Sequence, residues 1–93
     1  MENKKYLLNT DKVLFTPLEE EGVLYAIEEN KYISLNTTYT SIIQYIADGL
    51  DFNSIAAHLI AEYEVDKLQC ETQLAAVIMD LKAKEYINEA TTT

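Results

Sequence analysis

The side chains able to do covalent or acid–base chemistry are few and scattered. His58 is the single histidine and stands beside Leu59 with no second His or a Cys at a metal-sharing spacing. A lone imidazole in that setting reads as a partly exposed helix residue. Cys70 is the single cysteine, so neither an internal disulfide nor a cysteine-rich zinc site can form. It falls on an apolar stripe, where a small buried hydrophobe is expected rather than a nucleophile. Glu19, Glu20 and Glu21 adjoin one another. A calcium loop needs ligands at several defined spacings, so this run reads as a solvated acidic turn. Gly22 and Gly49 are the only glycines and cannot build a phosphate-cradling loop. Tyr39 and Tyr63, among seven tyrosines, sit on helical stripes and read as core and rim. No nucleophile, base and orienting group share a motif. The expectation is a protein that is not an enzyme and holds no cofactor or metal.

Length and charge narrow the partners. The 93 residues fit one small domain. A chain of this size buries only about 60–65% of its unfolded surface, so the core is thin. Seven lysines and no arginine face 16 acids, for a net charge of −9. Phosphate contacts supply most nucleic-acid affinity, so this field repels DNA and RNA, and anionic membranes likewise. Without arginine there is also no bidentate phosphate fork. No stretch approaches the roughly 18 apolar residues of a membrane span, and the N-terminus lacks the apolar stretch of a signal peptide. A reduced, cytoplasmic setting is expected. A neutral or basic peptide suits the charge.

The elements that must position any site divide into strands, then helices. Residues 1–10 show weak periodicity and read as a mobile arm. Val13 to Pro17 reads as a strand, followed by a turn at Glu19-Glu20-Glu21-Gly22. Val23 to Glu28 alternates as a second strand, with Val23, Tyr25 and Ile27 opposite Leu24 and Ala26. Glu29-Asn30 suits a two-residue turn, since Asn tolerates positive φ. Lys31 to Leu35 is a third strand, completing an antiparallel meander. Thr37 or Thr38 can cap a first helix striped by Tyr39, Ile42, Ile43 and Ile46 and ended by Gly49. Asp51 can cap a second, striped by Phe52, Ile55, Ala56, Leu59, Ile60 and Tyr63. Asp66 and Gln69 have capping-box spacing before a third, striped by Cys70, Leu74, Val77, Ile78 and Leu81. Tyr86-Ile87 folds back onto the core. The expected fold is α+β, a three-stranded antiparallel meander followed by three helices, winged-helix-like. Its domain spans 11–88, with residues 89–93 as a tail.

In a three-strand meander the outer strands are edges whose backbone groups lack partners. Pro17 protects the first edge, because proline has no N–H. The third strand has no proline or acid between Lys31 and Asn36, so it could accept an added peptide strand. The same edge leaves a homodimer open.

The run Lys31-Tyr32-Ile33-Ser34-Leu35-Asn36, with Ile42-Ile43 and the Asp48-Gly49 turn, resembles the PqqD family. So do Ile55-Ala56-Ala57-His58-Leu59, Glu62-Tyr63-Glu64-Val65-Asp66, and the ending Leu81 to Ile87. The similarity covers roughly Val13 to Ile87. The chain departs from the family where Gly often stands at the positions of Tyr39 and Glu85, and Trp near that of Ile43. The resemblance implies a non-catalytic peptide chaperone. It would bind the leader of a ribosomally made precursor peptide as a strand beside the third strand and present it to a modifying enzyme, often a radical SAM maturase. The implied strand wall is Lys31, Tyr32, Ile33, Ser34, Leu35 and Asn36. The implied helix wall is Gln73, Leu74, Val77, Asp80, Leu81 and Lys84, with Leu74 and Leu81 leaning to the core and Val77 to the groove. Two other readings are a small docking subunit of a larger enzyme and, less favoured by charge and by Glu71 and Asp80, a winged-helix DNA-binding regulator.

Overall fold

A computed structural model describes residues 4–18 and 21–90. Glu19 and Glu20, the centre of the expected acidic turn, lie outside the described residues, as do 1–3 and 91–93. The strands β1 (Tyr6–Leu8), β2 (Val13–Pro17), β3 (Gly22–Ala26), β4 (Lys31–Ser34) and β5 (Ile87–Glu89) frame the helices α1 (Thr37–Ala47), α2 (Phe52–Tyr63) and α3 (Lys67–Ala83). The fold is α+β as expected. The antiparallel meander runs in the order β2-β3-β4. Its register aligns Phe15 with Leu24 and Ile33, and Leu14 with Tyr25 and Tyr32.

Alternation decides which sheet face meets the helices. Val13, Leu24 and Ala26 are buried on the inner face. They meet Ile42, Ile43 and Ile46 of α1, Phe52, Ile55, Ala56 and Leu59 of α2, and Cys70, Leu74, Ile78 and Leu81 of α3 in one core. Each helix buries most of the stripe its i, i+3, i+4 spacing marks, with Tyr39, Ile60 and Val77 half-buried at its margin and Tyr63 37% exposed. No described helix is long and apolar enough to cross a membrane.

Caps set the helix ends. Asp51 accepts the Ser54 amide at 2.9 Å and Asp66 the Gln69 amide at 3.3 Å, as their spacing predicts. The cap of α1 is not a threonine but Asn36, whose side chain accepts the Tyr39 amide at 2.8 Å. Asn is among the strongest N-caps, and it leaves Thr37 free to enter the helix. Gly49, at φ +88°, closes α1 as expected: its amide reaches Ile46 O and that of Leu50 reaches Tyr45 O. α3 ends the same way on a residue that is not glycine. Glu85 has φ +63°, and the Tyr86 amide returns to Leu81 O at 3.0 Å. This turn folds Tyr86 and Ile87 onto the core, where both are buried.

Two local expectations change. The turn between β3 and β4 spans Ile27–Asn30, because Ala26 pairs with Lys31. The Ile27 amide extends the β2–β3 ladder to Lys12 O, the Asn30 amide closes the turn on Ile27 O at 3.2 Å, and Asn30 supplies the positive φ of 52°. β1 and β5 were also not read from the sequence. Tyr6–Leu8, expected within an unpaired arm, pairs antiparallel with Ile87–Glu89. Three residues are too few for alternation to show, and neither strand has a local partner in sequence. Tyr6 is buried, and Phe52 N donates to Lys4 O at 2.7 Å, so this ribbon seals the start of α2. It lies with β5 and α1 and does not lie along β4.

Candidate functional site

β4 is the last strand of its sheet, with β3 on one side and no described strand on the other. The phase of its ladder shows which backbone groups face out. The Leu35 amide bonds Gly22 O at 2.9 Å. In an antiparallel pair alternate residues point to the same partner, so Leu35, Ile33 and Lys31 face β3. The N–H and C=O groups of Tyr32 and Ser34 therefore point to the open edge. Neither proline nor an acid interrupts them.

The side chains of β4 part by face. Tyr32 and Ser34 lie on the outer, helix-free face. The Tyr32 ring is 76% exposed, and its centroid is 4.8 Å from that of Tyr25. Lys31, Ile33 and Leu35 point inward. Leu35 is buried, Ile33 packs half-open against the core, and Lys31 sits 3.6 Å from Glu29. Asn36, which the family resemblance placed in the strand wall, stands past the end of β4. Its carbonyl accepts from the Thr40 amide and hydroxyl, so its main chain serves α1.

On α3, Leu74 and Leu81 are 1% and 2% exposed and belong to the core. Val77 packs against that core with part of its surface open. Gln73 and Lys84 are exposed and Asp80 is half-buried. Asp80 accepts from Lys84 at 3.1 Å and lies 3.5 Å from the Tyr39 hydroxyl, which ties α3 to the first turn of α1. The Asp80 hydrogen bond raises the Lys84 pKa, outweighing desolvation, and keeps the ammonium charged.

Beyond Val77 a mainly apolar cavity of about 210 Å³ opens between the three helices. Thr38 and Ile42 of α1, Leu59 and Tyr63 of α2, Val65, and Cys70, Gln73, Leu74 and Val77 of α3 line it. It has room for a large apolar side chain and polar groups at its rim. Sequence reasoning reached Gln73, Leu74 and Val77 but missed Thr38, Ile42, Leu59, Tyr63 and Val65. The first four come from two other helices and Val65 from the connection between α2 and α3, and their spacing signals only core packing. A larger depression of about 540 Å³ lies at the end of β2 against α1 and α2, is wide open, and includes no residue of β4 or α3.

The groups screened first for chemistry stay apart. Burial, and secondarily Glu71, pushes the Cys70 thiol up, the opposite of what a nucleophilic thiolate needs. The His58 ring stacks on Tyr45 at 5.0 Å. Among the described residues no three His, Cys, Asp or Glu side chains gather to hold a metal.

Comparison with known proteins fits this geometry. The model of the family described as coenzyme PQQ synthesis protein D, PqqD, matches residues 21–87. Two solved structures share the fold. One is TbiB1 in complex with the TbiA(beta) leader peptide, with a TM-score of 0.81 and 23% identity over 92% of this chain and 99% of that one. The other is a lasso peptide synthetase B1 complexed with the leader peptide, with a TM-score of 0.78 and 26% identity over 90% and 98%. Comparison with curated proteins gives no match. The family match extends from the start of β3 through all three helices into β5, and on that ground this chain belongs to the PqqD family.

Proposed function

We propose that this protein is a non-catalytic recognition domain. It captures the leader of a ribosomally made precursor peptide as a fourth strand beside β4 and presents the peptide to a modifying enzyme such as a radical SAM maturase. The observation that carries the reading is the open edge of β4, with the Tyr32 and Ser34 backbone groups turned outward. Both matched solved structures hold a leader peptide, which supports it.

The energetics require side-chain anchors. Four ladder hydrogen bonds contribute about 0.5–1.5 kcal/mol each. Ordering a disordered peptide costs about 2–5 kcal/mol. The ladder alone is thus close to neutral. One apolar side chain buried against Val77 or in the helix cavity adds about 1.5–3 kcal/mol. In an antiparallel arrangement the upstream residues of the peptide lie toward Leu35, so the Lys31 end meets downstream residues. Gln73, Asp80 and Lys84 would fix register at the rim.

The DNA-binding alternative has little support, since the charge is −9 and α3 carries Glu71 and Asp80. The test is Val77→Asp, read by fluorescence anisotropy with the labelled leader of any short precursor peptide found encoded beside this protein. Binding should be lost in a variant that still melts cooperatively. Unchanged affinity in that folded variant would contradict the helix wall.

A further inference from the structure

The hollow of about 540 Å³ at the end of β2 lies outside the β4–α3 groove, yet it adjoins the apolar cavity between the helices. Tyr63 lines both, and Thr37 of the hollow is followed by Thr38 of the cavity. The Tyr63 hydroxyl lies 3.2 Å from Ser41 Oγ, which ties the ring down where the two meet. Pro17 and Leu18 form an apolar wall, with Leu18 58% exposed. Tyr45, stacked on His58, adds a second ring. Among the described residues Glu62 is the one carboxylate on the lining, and no lysine joins it. Glu62 opposes its own helix. It stands in the last turn of α2, where Glu64 is the C-cap and no basic residue is present. A helix C-terminus carries partial negative charge and favours cations. No salt bridge reaches Glu62 or Glu64 among the described residues. The negative field at this end is left unneutralised beside two aromatic rings.

We infer that this hollow takes a lysine or arginine side chain of the leader, from the segment upstream of the strand that pairs with β4. Two features select this occupant. The first is continuity. A strand antiparallel to β4 has its upstream residues at Leu35, and from there the domain's own chain runs through Asn36 into Thr37 and Thr38. A peptide leaving the edge at that end passes the helix cavity and reaches Tyr63, which also lines the hollow. The second is chemistry. A long basic side chain lays its methylene stem on Pro17 and Leu18 and sets its cation over a tyrosine ring against Glu62. An acidic side chain there would meet Glu62 and the negative end of α2, with no lysine to receive it. The hollow is also the far end of the path, so it reads leader sequence that the β4 ladder never touches.

The direction of the peptide rests on the proposed strand addition to β4. The test uses the full chain, its Glu62→Gln variant and the labelled leader of any short precursor peptide found encoded beside it, read by anisotropy. Truncating the leader to the segment that protects the Tyr32 and Ser34 amides should weaken binding about three- to tenfold, the size of one exposed ion pair with a cation–π contact. Replacing the upstream Lys or Arg of the leader by Gln should do the same. Glu62→Gln should weaken the intact leader by that factor, leave the truncated leader unaffected, and add no further loss to the Gln-substituted leader. Because this carboxylate opposes its helix end, the variant should melt no lower than wild type, which separates contact with the leader from a structural role. Wild-type leader affinity in Glu62→Gln, or losses that simply add, overturn the inference. So does a leader with no Lys or Arg upstream of the protected segment. Protected Tyr32 and Ser34 amides with harmless truncation remove the hollow and leave strand addition standing. A leader that couples to Glu62 while those amides stay unprotected removes strand addition and keeps the hollow.

Discussion

The buried hydroxyl of Thr40 accepts the amide of Gly22 at 2.8 Å. The same oxygen donates to Asn36 O at 2.8 Å. One side chain thereby fastens the start of β3 to the first turn of α1, and sets where β4 hands over to the helix. A Cβ at Gly22 would meet Phe15 Cε1 at 2.8 Å and Thr40 Cγ2 at 3.2 Å, so a larger residue at this approach needs the Phe15 ring to move.

Thr40→Val keeps the volume but leaves the Gly22 amide buried without its acceptor. An unsatisfied buried donor costs about 1–3 kcal/mol. Urea denaturation should show a loss of that size with an unchanged m-value. Amide exchange should quicken first at Gly22 and Leu35.

Glu85 holds a left-handed conformation where the family often has glycine. That backbone region costs a residue with a Cβ about 1–2 kcal/mol. The exposed contact from Glu85 to Lys12 at 3.4 Å returns little. Glu85→Gly, despite the extra entropy of the unfolded glycine, should stabilise the domain by about 0.5–1 kcal/mol in a denaturant melt. Glu85→Ala should not.

Leu74→Ala separates core from groove. The side chain is 1% exposed, so truncation should cost about 2–5 kcal/mol of stability. Leader affinity of the remaining folded fraction should fall much less than in Val77→Asp. Combined melting and anisotropy measurements check both halves.

The β1–β5 ribbon is tuned by acid. Glu89 bonds Lys4 at 2.7 Å and lies 3.5 Å from Lys82. The Lys4 hydrogen bond, above all, lowers its pKa below the usual 4.5. A lowered carboxyl pKa adds stability above the unfolded value, and that stability is lost as pH falls through the folded value. The ribbon should therefore loosen only below about pH 4.5, seen as faster exchange at the Leu7 and Asn9 amides, which face β5. Glu89→Gln should remove this pH dependence.

The main elements were legible because each carried a strong local signal. The α2 and α3 caps and all three core stripes follow from Asp51, Asp66 and spacings of three and four. Val13 to Pro17 and Lys31 to Ser34 follow from their apolar and β-prone residues between turn signals. What stayed hidden depends on distant partners. Leu8 pairs with Ile87 across nearly the whole chain, and no window of residues contains both. The cap of α1 was expected at Thr37 or Thr38, yet Asn36, placed in the strand wall by the resemblance, accepts the Tyr39 amide. Half of the candidate site is hidden in the same way. The β4 edge can be argued from Lys31 to Ser34 alone, whereas Ile42, Leu59 and Tyr63 join the cavity only after three helices have packed.

The most direct test is an amide-resolved NMR titration of the labelled chain with the leader of any short precursor peptide found encoded beside it. The account predicts shifts concentrated at Tyr32 and Ser34 and along α3 around Gln73, Val77 and Asp80, with the Tyr32 and Ser34 amides newly protected from exchange. Saturable binding with those two amides unprotected, and shifts gathered at the β2 end of the sheet or on α2, would contradict strand addition to β4.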